Sequence, residues 1–156
     1  MRNHQIFHRD SGEFETYSAT AVQHFMNPQN VGRMEKPDGR GCTTSRNVED
    51  FIEICIQVSG APERLEGIRF RAVGNPALMA CGSMLTVLLQ GMLIEDAVSV
   101  PPEALERALG GLPASKRYCA ELVFVALRAA VEDLAQRRAL QREPQRPSTL
   151  TPPTVL

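Results

Sequence analysis

Two stretches of alternating apolar and polar residues stand out in the first half of the chain. In residues 50–58, Ile52, Ile54, Ile56 and Val58 fall on one side and Glu53, Cys55 and Gln57 on the other. Successive side chains of a strand point to opposite faces, so this predicts a strand covered on one face. A second alternating run puts Ile68, Phe70 and Ala72 inward and Arg69 and Arg71 outward. Ser59-Gly60-Ala61-Pro62 between them is turn chemistry, and the two strands read as an antiparallel pair. Beyond residue 76 the period becomes helical. Residues 77–90 are apolar nearly all round, which predicts a central buried helix with Gly91 suited to its C-terminal cap. Pro101 and Pro102 introduce a helix over 103–109 that Gly110-Gly111 ends. A last helix starts near Ser115 and carries Cys119, Leu122, Val123, Ala126, Leu127, Ala130 and Leu134 at helical spacing.

Upstream, Ser18 suits the cap of a short helix whose Ala21, Val22, Phe25 and Met26 share one side, and Asn27-Pro28 stops it. From there to Asn47 the chain is punctuated by Gly32, Pro37, Gly39 and Gly41, with at most a short strand over 31–34. The pattern predicts an α+β domain: a small antiparallel sheet of about three strands with helices packed mainly on one face. A length of 156 residues fits one such domain. Residues 1–16, mostly polar and without periodicity, read as a flexible N-terminal extension, and 17–141 as the domain. Residues 142–156 read as a flexible tail rich in proline (Pro144, Pro147, Pro152, Pro153), with apolar Val155 and Leu156 leaving room for a docking peptide.

Composition narrows the function classes. A net charge of −1 gives no global field that would favour nucleic acid or anionic lipid. The longest apolar stretch is too short for a bilayer and the first residues lack a signal-peptide core, so a cytoplasmic location is expected. Cys42, Cys55, Cys81 and Cys119 show no paired spacing and read as free thiols. Phosphate-binding glycine loops, dinucleotide fingerprints and HExxH are absent, and His4, His8 and His24 suggest no nucleophile and base, so no enzyme is expected. One residue invites chemistry. Cys119 falls in the first turn of the last helix, where the positive end of the helix dipole lowers a thiol's pKa and improves it as a ligand. The alternative for Cys119 is a small, half-buried hydrophobe.

Several short motifs carry a family likeness. Tyr17-Ser18 opens a helix, followed by His24-Phe25-Met26-Asn27-Pro28-Gln29-Asn30-Val31-Gly32. Pro37-Asp38-Gly39, an Asp at the start of the alternating strand, Gly74 before the central helix, Gly91 with Ala97, and Leu112-Pro113-Ala114-Ser115-Lys116-Arg117-Tyr118-Cys119 follow in order. Over residues 17–134 this resembles the U-type iron–sulfur cluster scaffolds, the IscU/NifU family. The resemblance implies a metal site at one end of the domain, built from a Cys and an Asp in the first loop, a Cys before the central helix, and a His-Cys pair opening the last helix. Soft thiolates and an imidazole suit iron, zinc and iron–sulfur clusters.

Residue by residue the chain departs from that set. The first Cys position falls on Val48, the second on Asn75 and the His on Tyr118, leaving Asp50 and Cys119. A cluster wants four strong ligands and a structural zinc site is equally demanding. Cys42 and, less directly, Cys81 are the candidate substitutes, whereas Cys55 reads as incidental and His24 as a structural residue bonded to backbone. The candidate metal residues are therefore Cys119, Asp50 and Cys42, for iron or a cluster, with a metal-free state as the other expectation. Two functions compete. One is a scaffold for iron–sulfur assembly that is unable to hold a cluster alone, with Cys119 as sulfur acceptor. The other is a metal-free interaction or accessory subunit of a larger complex. The resemblance implies protein partners, a cysteine desulfurase and a chaperone that reads Leu112-Pro113-x-x-Lys116, while charge and hydropathy lead to the expectation of neither a nucleic-acid nor a membrane partner.

Overall fold

The computed structural model describes residues 4–7, 14–46 and 49–143. Along the chain run β1 (His4–Phe7), β2 (Phe14–Tyr17), α1 (Ala19–Met26), β3 (Gly39–Thr44), β4 (Phe51–Ser59) and β5 (Arg64–Val73). There follow α2 (Pro76–Leu89), α3 (Ile94–Ser99), α4 (Pro102–Ala108), a single 3-10 turn (Ala114–Lys116) and α5 (Tyr118–Arg142). β3, β4 and β5 form an antiparallel sheet in that order, and β1 and β2 a separate two-stranded ribbon. The α+β class and the three-stranded sheet follow the sequence pattern. Among the described residues, no helix is long and apolar enough to cross a membrane.

The core lies between the sheet and α2 and α5. Ile52, Ile54 and Ile56 of β4 are fully buried, joined by Ile68 and Phe70 of β5. α2 is buried nearly all round, and it carries two hydroxyls, Ser83 and Thr86, into that interior. A buried hydroxyl needs a partner, and the segment after α1 supplies both. Ser83 Oγ lies 2.7 Å from His24 Nδ1 and accepts from the Gln29 amide at 2.8 Å, and Asn30 Nδ2 donates to Thr86 Oγ1 at 3.0 Å. Asn30, at φ +59, turns the chain so that Gly32 N–H reaches Phe70 O at 3.0 Å and Phe70 N–H reaches Asn30 O at 3.1 Å. His24 is thus structural, but it bonds a side-chain hydroxyl rather than backbone. Burial lowers its pKa. The short strand expected over 31–34 is a single bridge between Val31 and Phe70.

The clearest departure from the sequence pattern is β3. Gly39 and Gly41 read as breakers, yet they lie in a strand and are there because α5 rests directly on it. A β-carbon on Gly41 would fall 2.2 Å from Ala126 O and 2.3 Å from Ala130 N, and one on Gly39 2.2 Å from Ala130 O. Glycine facing alanine lets a strand and a helix approach backbone to backbone. Other differences are smaller. Part of the head expected to lack structure pairs as β1 and β2, Met26 is 72% exposed rather than packed with its helix mates, and α3 had no forewarning in the pattern. Ser18 does cap α1, accepting from Ala21 N–H at 3.0 Å. α5 ends at Arg142, its C-cap Glu143 being extended (ψ 121°) ahead of Pro144, and the proline-rich segment from 144 onward lies outside the described residues.

The sheet's second face carries charge. Across it the register sets Arg40, Cys55 and Arg69 in one row and Cys42, Glu53 and Arg71 in the next. Arg71 donates twice to Glu53 Oε1, at 3.0 and 2.8 Å, and Arg40 Nε lies 3.6 Å from Glu53 Oε2, so the buried carboxylate is matched from both sides.

Gly41→Val should remove roughly 3 kcal/mol or more of stability, because backbone atoms on the facing helix cannot yield to a side chain. Gly91→Ala meets no atom within 4 Å and strains only a positive φ of +80, at a cost of about 1–2 kcal/mol. Urea unfolding followed by circular dichroism separates the two; equal effects would disprove the close contact between β3 and α5.

Candidate functional site

Three chain segments meet at one end of the sheet. The β3–β4 connection delivers Asp50, whose carbonyl accepts from Ser45 N–H at 3.1 Å. The turn after β5 delivers Asn75, the N-cap of α2, whose Oδ1 accepts from Leu78 N–H at 3.2 Å. The start of α5 delivers Tyr118 and Cys119. Gly74, at φ +141, makes the meeting possible: a β-carbon there would fall 1.9 Å from Asp50 Oδ1.

One amide nitrogen sits at the centre. Asn75 Nδ2 lies 3.2 and 3.1 Å from the two Asp50 carboxylate oxygens, 3.0 Å from Tyr118 OH and 3.5 Å from Cys119 Sγ. The Asn75 backbone N–H donates to Asp50 Oδ1 at 3.1 Å, and Tyr118 OH donates to Asp50 Oδ2 in a short bond of 2.5 Å. Asp50, only 1% exposed, is thereby satisfied by one backbone and two side-chain donors. Nδ2 has two hydrogens for four acceptors, so it shares them in bifurcated bonds.

Burial dominates the protonation states. It pushes the Cys119 thiol up to about 11, against smaller downward pulls from its bonds to Asn75 and Tyr118. Burial and then the bond to Asp50 raise the Tyr118 phenol as well. Both groups are therefore neutral at physiological pH. This reverses the sign expected from the helix position of Cys119. The 3-10 turn runs through Arg117, itself in helical conformation (φ −62, ψ −28), into α5, so Cys119 does not face a bare helix end. It is also fully buried, and desolvation of the thiolate outweighs the dipole.

Of the residues singled out from sequence, Asp50 and Cys119 share this centre through Asn75. Cys42 does not join them. It is exposed on β3 opposite Glu53, on the face away from the helices, whereas Asp50 continues the parity of Ile52 and Ile54 on the helix face. Cys81 is enclosed in α2 and its thiol is raised well above 9.0 by burial; Cys55 is buried beside Glu53 and Arg40. Val48 lies outside the described residues. Among the described residues, no group of three or more His, Cys, Asp and Glu side chains could hold a metal ion. Asn75 and Tyr118, which stand where the resemblance implies a Cys and a His, prove to be the hydrogen-bond partners of Asp50. The run Gly74-Asn75-Pro76 did signal a helix cap, since Asn favours the cap and Pro the position after it.

Fold and centre together define a U-type scaffold domain, with a sheet backed by α2 and α5 and one tip built from the β3–β4 connection and two helix starts. Residues 16–141 match the NifU-like N-terminal domain family, and the chain belongs to it. It is 39% identical over 117 residues to the iron–sulfur cluster assembly scaffold protein IscU 1 of Archaeoglobus fulgidus, covering 75% of each chain. It is 30% identical over 127 residues to the scaffold protein IscU of Aquifex aeolicus, covering 81% of each. In fold it matches the N-terminal part of a nitrogen-fixing NifU-like protein from Brucella abortus, with a TM-score of 0.54 at 12% identity over 78% of this chain and 94% of the other.

The raised Cys119 pKa makes stability depend on alkaline pH. The unfolded thiol ionises near 9.0 and the folded one near 11, so its contribution is complete below pH 9 and is lost as pH rises toward 11. The loss should amount to roughly 2–3 kcal/mol. Comparing the pH dependence of urea unfolding in the wild type and Cys119→Ala isolates this thiol from Tyr118, which titrates in the same direction. Parallel curves would show that Cys119 is solvated.

Proposed function

We propose that this chain serves iron–sulfur cluster assembly as a scaffold-type protein that does not itself hold the cluster. The observation that carries this reading is the Asn75 amide nitrogen amid the two Asp50 oxygens, Tyr118 and Cys119. A cluster is bound through thiolates. Here one thiol is present, buried and protonated, and the carboxylate beside it already takes three hydrogen bonds. Opening the site would cost the cap of α2 and leave Asp50 a buried charge with fewer partners, which is expensive in a dry interior. Two thiolates and an imidazole cannot be replaced as ligands by an amide, a phenol and whatever Cys42 supplies from the opposite face of the sheet.

On this reading the protein contributes surfaces to the assembly process, as an accessory subunit in the cytoplasm, and performs no catalytic step. Its partners are of the class that serves such scaffolds, a cysteine desulfurase that supplies sulfur or a chaperone. The competing reading, an autonomous scaffold with Cys119 as sulfur acceptor, needs an accessible thiolate, and burial opposes both requirements.

Anaerobic reconstitution with ferrous iron and sulfide, followed by desalting and metal and sulfide analysis, tests this. The wild type should emerge colourless and free of iron, whereas Val48→Cys/Asn75→Cys/Tyr118→His should retain metal. A wild-type chromophore with near-equal iron and sulfide, lost in Cys119→Ser, would sink the proposal.

A further inference from the structure

The outer edge of β3 is an open strand edge with two dissimilar walls. Its direction follows from the far side of the sheet. Phe70 turns both its N–H and its C=O outward, toward Gly32 and Asn30. Hydrogen-bonded and open pairs alternate along an antiparallel ladder. Opposite partners Phe70–Ile54 and Ile54–Gly41 therefore place Ile54's bonds on Gly41, and Arg40, Cys42 and Thr44 present their amides and carbonyls outward. The Arg40 N–H confirms the parity, since it donates to Asp133 Oδ2 of α5 at 2.8 Å. Cys42 and Thr44 are exposed and have no backbone partner beyond the sheet among the described residues.

On the helix side, α5 runs along this edge, with Leu134 and Ala130 near Gly39 and Ala129, Ala130 and Ala126 near Gly41. Asp133, Ala129 and Val125 are spaced four apart and so share one stripe of the helix. Asp133 guards the Arg40 end, and Val125, 46% exposed, lies toward Thr44. The other wall is cationic. Arg40, Arg69 and Arg71 lie on the open face with the Glu53 carboxylate between them, and Arg40 is 51% exposed at its side chain.

We propose that this edge binds an extended segment of a partner protein that adds a fourth strand to the sheet, its apolar side chains on Val125 and Ala129 and its acidic side chains on the face of Arg40. Strand addition takes affinity from main-chain bonds and specificity from alternating side chains, and the two walls prescribe that alternation. Asp133 ends the pairing at Arg40 and sets the register. A second copy of this chain is a poorer occupant, because edge-to-edge pairing would set two arginine-rich faces side by side. The surface is independent of whether a cluster is held, so the outcome of reconstitution does not bear on it.

The probe is a capped heptapeptide of alternating glutamate and valine, with alternating lysine and valine as the counterpart, titrated into the full chain and followed by amide NMR and hydrogen exchange. The glutamate peptide should shift and protect the Cys42 and Thr44 amides and bind at least tenfold more tightly than the lysine peptide. Added salt should weaken it, Arg40→Glu should reverse the preference, and Val125→Asp should weaken both peptides. Shifts that map elsewhere, or nowhere, would overturn the proposal. So would a Cys42 amide already protected in the free protein, either at all concentrations, from another segment of the chain, or only at high concentration, from a second copy.

Discussion

A carboxylate that water cannot reach organises one end of this molecule. Asp50 must be matched by donors from its own fold, and the donors come from segments remote in sequence: the cap of α2, 25 residues on, and the first residue of α5, 68 residues on. The same amide that satisfies Asp50 starts α2 through its bond to Leu78. Gly74 has no side chain because the carboxylate fills that space. The residue leading into β4 and the first turns of two helices are thus tied together by one group.

That constraint separates the chemistry of the centre from its mechanics. Dry surroundings strengthen each bond and also hold the thiol and phenol in their neutral forms. An acidic group with neutral donors around it is a durable joint, because no member gains by leaving. A cargo site has the opposite need: ligands that are charged, soft and able to release. The family relation fixes the architecture, whereas what the centre does is decided by the side chains within it.

Much of the architecture was legible in the sequence because it is periodic. The alternation of Ile52, Ile54 and Ile56, the unbroken apolar character of α2 and the helical spacing from Cys119 to Leu134 each report burial directly. β3 was not legible, because glycine marks a turn as readily as a close approach, and only the facing Ala126 and Ala130 distinguish the two. The acidity of Cys119 was misjudged for a related reason: helix position is local, but burial is a tertiary property that outweighed it. That Asn75 and Tyr118 would bind Asp50 could not be read at all, since hydrogen-bond partners across tens of residues leave no period. The resemblance to U-type scaffolds did place Asp50, Asn75, Tyr118 and Cys119 at one end of the domain, without saying how they bond.

The two hydroxyls inside α2 have a consequence for how the molecule comes apart. α1 buries only Ala21 completely, and the segment that follows is fastened to α2 through Ser83 and Thr86 rather than through a broad apolar contact. Polar fasteners of this kind lose little when water replaces them. The trailing loop is bonded to β5 as well, with Gly32 N–H on Phe70 O and Phe70 N–H on Asn30 O, so it can leave α2 only by also leaving the edge of the sheet, and any opening at the first helix is tied to the sheet itself.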